Sequence, residues 1–238
     1  RINIFVPIFL FICFVIFYFY GNSYKQKFYN NADKTLEYKV RLIGSNVSLD
    51  RFYSNANSIL ILENLIKISN LKFDEKTILV WPEAAIPDIS QKELKEYKWL
   101  FEKNFNNNHY LIIGINSDSV NNGIKKYFNS FSLYDGDLNL VDSYNKIKLV
   151  PFGEFLPLEN ILGIIGLKSL TNNYQSFSSG SLRELIEIKQ KKFSLKILPL
   201  ICYEIIYSGK LFDKQDFDVI INISEDGWFG KSVGPIQH

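Results

Sequence analysis

Residues 77–87 read TILVWPEAAIP, an apolar run that ends in a proline and is followed at once by a carboxylate. Thr77–Trp81 has the length and the β-branched content of a buried strand, and Pro82 cannot continue the strand's hydrogen bonding. Glu83 therefore lies just beyond a strand end. Partial burial there raises the pKa of a carboxylate and suits it to act as a general base. The same carboxylate could instead cap a helix that starts near Pro87, so this stretch alone leaves both interpretations open.

Two further segments place reactive side chains at a strand end. Residues 144–154 read YNKIKLVPFGE, in which two lysines run into a proline and glycine turn that holds Glu154. Residues 196–204 read KILPLICYE, so Cys202 ends an apolar strand, with a tyrosine and a carboxylate directly after it. A lysine beside a cleft can stabilise an oxyanion, and a thiol becomes a nucleophile once its proton is removed. Surface lysines and inert buried cysteines are common, so each segment also fits a structural role.

Strands and helices alternate from about residue 36 to the end of the chain. Apolar runs and period-two alternation predict strands at residues 38–47, 77–81, 110–115, 128–134, 138–143, 196–201 and 218–223. The DGD turn at 135–137 predicts a hairpin, and helical spacing predicts helices at 58–69 and 91–105. This alternation predicts an α/β layered domain over residues 36–238.

The densest apolar patch comes first in the chain. Residues 4–20 read IFVPIFLFICFVIFYFY without a charge, and Tyr18 and Tyr20 stand where an interfacial aromatic belt is expected. Because about 20 apolar residues cross a bilayer core, residues 1–22 predict one transmembrane helix, in which Cys13 has no chemistry. A cleaved signal peptide, which would need a small-residue cleavage site, and a buried core helix are the alternatives.

The composition excludes several classes of protein. The 238 residues include 27 Lys and Arg against 25 Asp and Glu, which gives no basis for nucleic-acid binding. A hydrophobic content of 47% excludes disorder, and two distant cysteines exclude a disulfide framework. The chain starts at Arg1 and contains no methionine, so we expect it to be part of a longer protein.

Four short sequence motifs, in the order in which they occur, resemble those of one protein family. They are WPEAAIP at 81–87, YNKIKLVPFGEFLPLE at 144–159, ICYEI at 201–205 and NISEDGWFG at 222–230. A Glu, a Lys and a Cys in this order resemble the triad of nitrilase-type carbon–nitrogen hydrolases. The motifs that flank these three residues are similar to those of apolipoprotein N-acyltransferases. The resemblance covers essentially the whole chain. It implies a nitrilase-like αββα sandwich preceded by one transmembrane helix.

The resemblance assigns roles to individual residues. Glu83 matches the family's general base, Lys146 its oxyanion-stabilising lysine and Cys202 its acyl-accepting nucleophile. Lys146 is preferred to Lys148 because the family's lysine precedes the PFGE carboxylate by eight positions, a choice that the residues alone leave open. Three further residues match supporting positions, namely Glu154, Tyr203 and Glu204.

The segment at 155–167, FLPLENILGIIGL, is apolar and interrupted by glycine. As a lid it would dip toward lipid or enclose an acyl chain, with Phe155, Leu162 and Ile165 on the substrate side. As a core helix it would make no substrate contact. The sequence leaves both interpretations open.

The resemblance implies an acyltransferase that needs no cofactor and no metal. A phospholipid would donate an acyl chain to Cys202, and the N-terminal amine of a diacylglyceryl-modified cysteine on an apolipoprotein would accept it. The alternatives are a membrane-tethered amidase that hydrolyses a small amide and an inactive lipid-binding relic.

A cellular location also follows from the resemblance. It implies a monomer in the bacterial inner membrane, multi-pass in the full protein, with the catalytic domain on the periplasmic side. Residues 1–22 would be the penultimate helix, and the catalytic domain at 36–238 would be incomplete at its C-terminal end. The basic residues after the helix would by the positive-inside rule place the domain in the cytoplasm, an assignment that the resemblance outweighs.

Overall fold

The computed structural model describes residues 5–31, 37–44, 57–121, 123–155, 157, 176–191, 193–207 and 216–237. The chain divides into two compact units, Arg1–Glu37 and Tyr38–His238, which we describe separately.

Among the described residues of the first unit, 5–31 form one helix, α1 (Phe5–Asn31). Its stretch Phe5–Asn30 is long and apolar enough to cross a membrane, and its described side chains are almost all exposed. Apolar side chains on every side of a helix are typical of a segment surrounded by lipid. The helix continues past the predicted end and through Gly21, since glycine costs a helix only about 1 kcal/mol relative to alanine.

The second unit alternates strands with helices. The strands are β1 (Lys39–Leu42), β2 (Thr77–Val80), β3 (His109–Asn121), β4 (Ile124–Asp135), β5 (Leu140–Asn145), β6 (Ile186–Gln190), β7 (Phe193–Ile201) and β8 (Val219–Ile223). The helices are α2 (Ser58–Ser69) and the single turns α3 (Lys98–Phe101) and α4 (Gly234–Gln237), with 3₁₀ turns at Leu94–Tyr97, Cys202–Ile206 and Asp226–Phe229.

These strands form two sheets. The first has the order β1-β2-β3-β4-β5, in which β1, β2 and β3 are parallel and β3, β4 and β5 form an antiparallel meander. The second has the order β6-β7-β8, with β6 antiparallel and β8 parallel to β7. Val80 at the end of β2 lies opposite Ile112, so β3 and β4 continue well beyond the edge at which β2 stops.

The two sheets pack face to face, and helices cover the other face of the first sheet. Ile78 and Phe131 of the first sheet meet Ile197 and Ile221 of the second in one buried cluster. Leu79, Trp81, Leu111 and Ile113 point the other way and pack with residues of α2 and α3. Burial on both faces explains why β2 reads as a continuous apolar run. The predicted α/β layered architecture is confirmed.

One predicted element is wrong in form. Residues 91–105 do not make one continuous helix but a 3₁₀ turn followed by the single turn α3. The reason lies at the start of the segment, where Ser90 bridges to Asn116 and the backbone N–H of Gln91 donates to the Asn116 carbonyl at 2.7 Å. These bonds hold the start of the segment on the part of β3 that β2 leaves open.

Candidate active site

Glu83 is held close to the middle of β3. After β2, the Gly114 N–H donates to the Pro82 carbonyl and the Ala85 N–H donates to the Gly114 carbonyl, each at 3.2 Å. A Cβ atom on Gly114 would lie 2.4 Å from the Glu83 Cα, so only glycine permits this approach. The Glu83 side chain is buried as a result. The chain around Pro87 forms turns, so Glu83 does not cap a helix there.

Lys146 directly follows β5 and is completely buried, with 1% of its surface exposed. Its Nζ lies 3.3 Å from Glu83 Oε1 and 3.0 Å from both carboxylate oxygens of Glu154. Burial lowers the pKa of Lys146, but the two carboxylates outweigh it and the net pKa lies above its usual value. The lysine is therefore a fixed ammonium ion inside the protein.

Asn129 is a site residue that the sequence did not suggest. Its Nδ2 donates to Glu83 Oε1 at 2.7 Å and to Glu154 Oε1 at 2.8 Å, and its backbone carbonyl accepts from the Lys146 N–H at 2.9 Å. One amide group thus fixes both carboxylates around the lysine. Its only sequence signal is an asparagine inside an apolar strand, which by itself has many explanations.

Glu154 belongs to the turn that follows β5. Its Oε2 accepts from the Val150 N–H at 2.9 Å, and its own carbonyl accepts from the Phe177 N–H at 2.8 Å. Within this turn, Phe152 adopts φ 63°, a left-handed conformation that is uncommon for a side chain of this size. The turn thereby closes a compact loop with the carboxylate pointing back at Lys146.

Cys202 follows β7 as the first residue of the 3₁₀ turn Cys202–Ile206. It adopts φ 53°, and non-glycine residues in such conformations cost about 1–3 kcal/mol and cluster at functional sites. Burial, together with the charge of Glu83, raises the pKa of its thiol to about 11, against the opposing effects of Lys146 and of a hydrogen bond from the Ser224 side chain. The thiol is therefore neutral at physiological pH and lies within the electrostatic field of both other residues of the predicted triad.

Glu204 joins the chain after β5 to the end of β7. Its Oε1 accepts from the N–H groups of Ile147 and Lys148 at 3.0 and 3.1 Å, and its Oε2 accepts from the Ile201 N–H at 3.1 Å. Arg183 pairs with the same carboxylate at 2.7 Å. The Glu204 side chain has no exposed surface, so it acts as a buried tie between the lysine and cysteine segments.

The remaining predicted residues have less defined surroundings. Tyr203 is half-buried and makes an edge-on ring contact with Phe229 at 6.0 Å. Phe155 is half-buried, and its carbonyl accepts from the Phe152 N–H at 2.8 Å. The predicted lid residues Leu162 and Ile165 lie outside the described residues.

The arrangement combines a buried carboxylate, a charged lysine and a neutral thiol. A carboxylate of this kind can accept the thiol proton, and the ammonium ion can stabilise an oxyanion that forms on a substrate carbonyl. In the part of the chain that the structure describes, no group of three or more His, Cys, Asp or Glu side chains could hold a metal ion.

Comparison with known proteins gives matches over most of the chain. A sequence model of the carbon–nitrogen hydrolase family matches residues 61–238. The apolipoprotein N-acyltransferase of Wigglesworthia glossinidia brevipalpis is 34% identical over 245 residues, which cover 96% of this chain and 45% of that protein. The apolipoprotein N-acyltransferase of Rickettsia prowazekii is 36% identical over 220 residues, which cover 87% of this chain and 41% of that protein. The chain spans less than half the length of both relatives.

Among solved structures, a carbon–nitrogen hydrolase of Helicobacter pylori G27 is 18% identical with a TM-score of 0.49 and covers 79% of this chain and 59% of that chain. The family match over residues 61–238 includes Glu83, Lys146, Cys202 and every described strand except β1. The predicted nitrilase-type fold is confirmed by this match. The chain belongs to the carbon–nitrogen hydrolase family, and over most of its length its sequence is similar to apolipoprotein N-acyltransferases.

Proposed function

We propose that this chain is the catalytic region of an apolipoprotein N-acyltransferase that carries an acyl chain as a thioester on Cys202. The donor is a phospholipid, and the acceptor is the α-amino group of a diacylglyceryl-modified cysteine at the N-terminus of an apolipoprotein. The observation that carries this proposal is the buried Lys146, which is fixed between Glu83 and Glu154. It lies beside the thiol of Cys202, a residue whose backbone is strained. The similarity to N-acyltransferases supplies the substrate class.

Formation of the thioester begins with transfer of the Cys202 proton to Glu83. The raised pKa of the thiol means that it keeps its proton until a base takes it, and Glu83 is the carboxylate that most strongly affects it. Transfer between these two residues leaves the total charge of the buried cluster unchanged, which avoids the cost of an extra buried negative charge. Sulfur then attacks the ester carbonyl of the phospholipid.

The tetrahedral oxyanion is stabilised by Lys146. A fixed donor at such a position contributes about 2.7–4 kcal/mol to catalysis, and Lys146 needs no rearrangement because its two carboxylate partners and Asn129 already hold it. Collapse of the intermediate breaks the ester bond, and Glu83 returns the proton to the departing lysophospholipid alkoxide.

The second half-reaction reuses the same groups. The neutral amine of the acceptor attacks the thioester carbonyl, Glu83 takes the proton that the amine loses, and Lys146 again faces the oxyanion. Collapse breaks the carbon–sulfur bond, and the proton returns to the Cys202 sulfur. The products are an N-acylated lipoprotein and the free thiol, which is ping-pong chemistry.

Apolar side chains next to the site favour this transferase over a small-amide hydrolase. Phe152, two residues before Glu154, is 71% exposed. Ile206 and Tyr207, at the end of the turn that Cys202 starts, are 57% and 45% exposed, and Trp228, three residues after Glu225, is 44% exposed. The Glu225 N–H donates to Glu83 Oε2 at 3.3 Å, so this last segment borders the site directly. Exposed apolar side chains around a site mark a surface that contacts apolar ligands or a membrane, which an acyl donor requires and a small polar amide does not.

The proposal extends to the location of the protein. We assign α1 to the bacterial inner membrane as one of several helices of a longer, monomeric protein, with the catalytic domain on the periplasmic side. Its length and apolar surface support the membrane assignment. For residues 155–167, most of which lie outside the described residues, the lid and the core helix both stay predictions.

The test uses the full-length protein in phospholipid bilayers with a radiolabelled acyl donor and a diacylglyceryl lipopeptide acceptor. We expect N-acylated lipopeptide to form only with the free amine, and Glu83→Gln, Lys146→Met and Cys202→Ser to reduce its rate at least about a thousandfold. Lys148→Met is the matched control, because that side chain is exposed and only its backbone N–H binds Glu204. Release of free fatty acid without N-acylation, or equal loss in the Lys148 control, would contradict the proposal.

A further inference from the structure

The meander β3-β4-β5 has two hairpins that point in opposite directions and differ in chemistry. The hairpin between β3 and β4 projects from the edge that carries Glu83, because Asn116 and Asn129 pair near the site and the strands continue to the pair Asn121 and Ile124. Five further residues at about 3.4 Å each carry its tip roughly 17 Å beyond that pair. The hairpin between β4 and β5 lies at the opposite edge.

The tip next to the site is apolar and basic. Residues 119–127 read SVNNGIKKY, with two lysines and no acidic residue. Val120 is 63% exposed and Ile124 is 65% exposed, while Lys125 and Lys126 are exposed too. In the register, Val120 lies opposite Lys125 and Ile124 opposite Asn121, so each face of the ribbon has one large apolar side chain.

The opposite tip is acidic and internally bonded. Asp135 Oδ1 accepts from the N–H groups of Asp137 and Asn139 at 2.9 and 2.8 Å, and Asp137 pairs with Lys98 at 3.0 Å. One sheet therefore has a basic, apolar tip at the catalytic edge and, at the other edge, a polar tip whose carboxylates are bonded locally or paired with Lys98. Such an asymmetry suits a sheet whose catalytic edge faces a lipid bilayer with anionic headgroups.

We propose that the tip formed by residues 119–121 and 123–126 inserts Val120 and Ile124 into the interface of an anionic phospholipid bilayer, with Lys125 and Lys126 at the headgroup phosphates. The inference rests on the proposed function, in which the site takes its acyl donor from a bilayer. Insertion of the tip fixes the distance and tilt of the catalytic edge over the lipid. The hairpin is suited to this because it is a paired ribbon, so the backbone N–H and C=O groups that face the partner strand enter the interface already bonded.

The experiment locates the tip directly in the full-length protein. An environment-sensitive fluorophore is attached at Val120→Cys in a Cys13→Ala, Cys202→Ala background, and the protein is placed in bilayers containing phosphatidylglycerol with brominated acyl chains. The matched control carries the same label at Asp137→Cys, on the tip at the opposite edge. We expect a blue-shifted emission with strong bromine quenching at position 120 and neither effect at position 137.

A second variant tests the role of charge. Replacing Lys125 and Lys126 by glutamine should weaken the bilayer-bound state of the tip by roughly fivefold for each lysine, so quenching at position 120 falls and approaches that in zwitterionic lipid. Quenching at position 120 that equals the control overturns the inference. A blue shift without quenching also overturns it, because the tip then packs against protein rather than lipid. Since the labelled protein lacks the thiol, none of these outcomes depends on the proposed chemistry, which the N-acylation assay tests separately.

Discussion

The Cys202 thiol has a pKa of about 11 because burial and the Glu83 carboxylate both oppose its ionisation. In Glu83→Gln, the negative neighbour is gone while Lys146 remains, so the thiol pKa should fall. The pH dependence of iodoacetamide labelling at Cys202, in a Cys13→Ala background, measures this midpoint. We therefore expect a variant whose thiol is more acidic than the wild type and yet forms thioester far more slowly, because the base is lost.

Lys146→Met gives the opposite shift and serves as the comparison. Removal of the ammonium ion should raise the Cys202 pKa above that of the wild type, since Lys146 is a group that lowers it. If Glu83→Gln and Lys146→Met shift the labelling midpoint in the same direction, then the two side chains do not act on the thiol as the geometry indicates.

Asn129 also acts at the scale of single residues, as a positioning residue. Asn129→Ala removes two hydrogen bonds to carboxylates but neither carboxylate, and loss of such an outer partner typically costs 10- to 100-fold in activity, so we expect thioester formation to slow by that factor. Gln91→Ala is a suitable control. The Gln91 amide donates to the hydroxyl of Ser132, which lies on β4 like Asn129 but does not contact Glu83. Equal rates for the two variants would show that the shared amide has no part in fixing the base and the lysine.

At the scale of elements, the loop after β2 is positioned by the close approach of its backbone to β3. Gly114→Ala tests this contact. The added methyl group would lie 2.4 Å from the Glu83 Cα and must push the loop after β2 away from β3. We expect a destabilisation of about 1–3 kcal/mol and an activity loss on the order of a hundredfold, since small displacements of a catalytic group have such effects. Gly44→Ala, at a position with open space, should change neither the denaturation midpoint nor the rate.

The buried Glu204 ties two elements together, and its loss should affect stability. Glu204→Gln replaces an acceptor of three backbone N–H groups and leaves the Arg183 charge without its carboxylate. Breaking a buried pair of this kind costs about 3–5 kcal/mol, which urea denaturation of the reconstituted protein can measure. Glu187→Gln, on β6 with a partly exposed side chain, is the isosteric control and should unfold like the wild type. A small effect at Glu204 would mean that the lysine and cysteine segments are held together by other contacts.

Sequence reasoning was most successful where one element decides its own structure. The helix at 58–69 was predicted because burial of one face leaves a helical period, and the strands with continuous apolar runs because they are buried on both faces. The strand β6 was missed, since Ile186 and Ile188 are too few to show a period, and pairing with β7 rather than local preference makes it a strand. The helix predicted at 91–105 is replaced by a 3₁₀ turn and one α-helical turn, and its start is held on β3 by the bond from the Gln91 N–H to the Asn116 carbonyl.

At the scale of the whole molecule, the site depends on contacts between distant segments. Glu83, Lys146 and Cys202 were predicted from strand ends and resemblance, whereas Asn129 lies 46 residues from Glu83 and becomes visible only when β3 and β4 pair. The resemblance selects Lys146 over Lys148, but the physical difference between them needs the fold, since one side chain is buried between carboxylates and the other is exposed. Periodicity in the sequence identifies strands. Which strand ends lie next to each other follows only from the order of the strands in the sheet.

The most direct test of the central claim is the intact mass of the full-length protein after incubation with phospholipid and no acceptor. We expect a mass increase of one acyl chain, located on the peptide that contains Cys202, removed by neutral hydroxylamine and absent in Cys202→Ala. Addition of the lipopeptide amine should discharge it. An acyl adduct that persists in Cys202→Ala, or one that the amine cannot discharge, would contradict an acyl transfer through this cysteine.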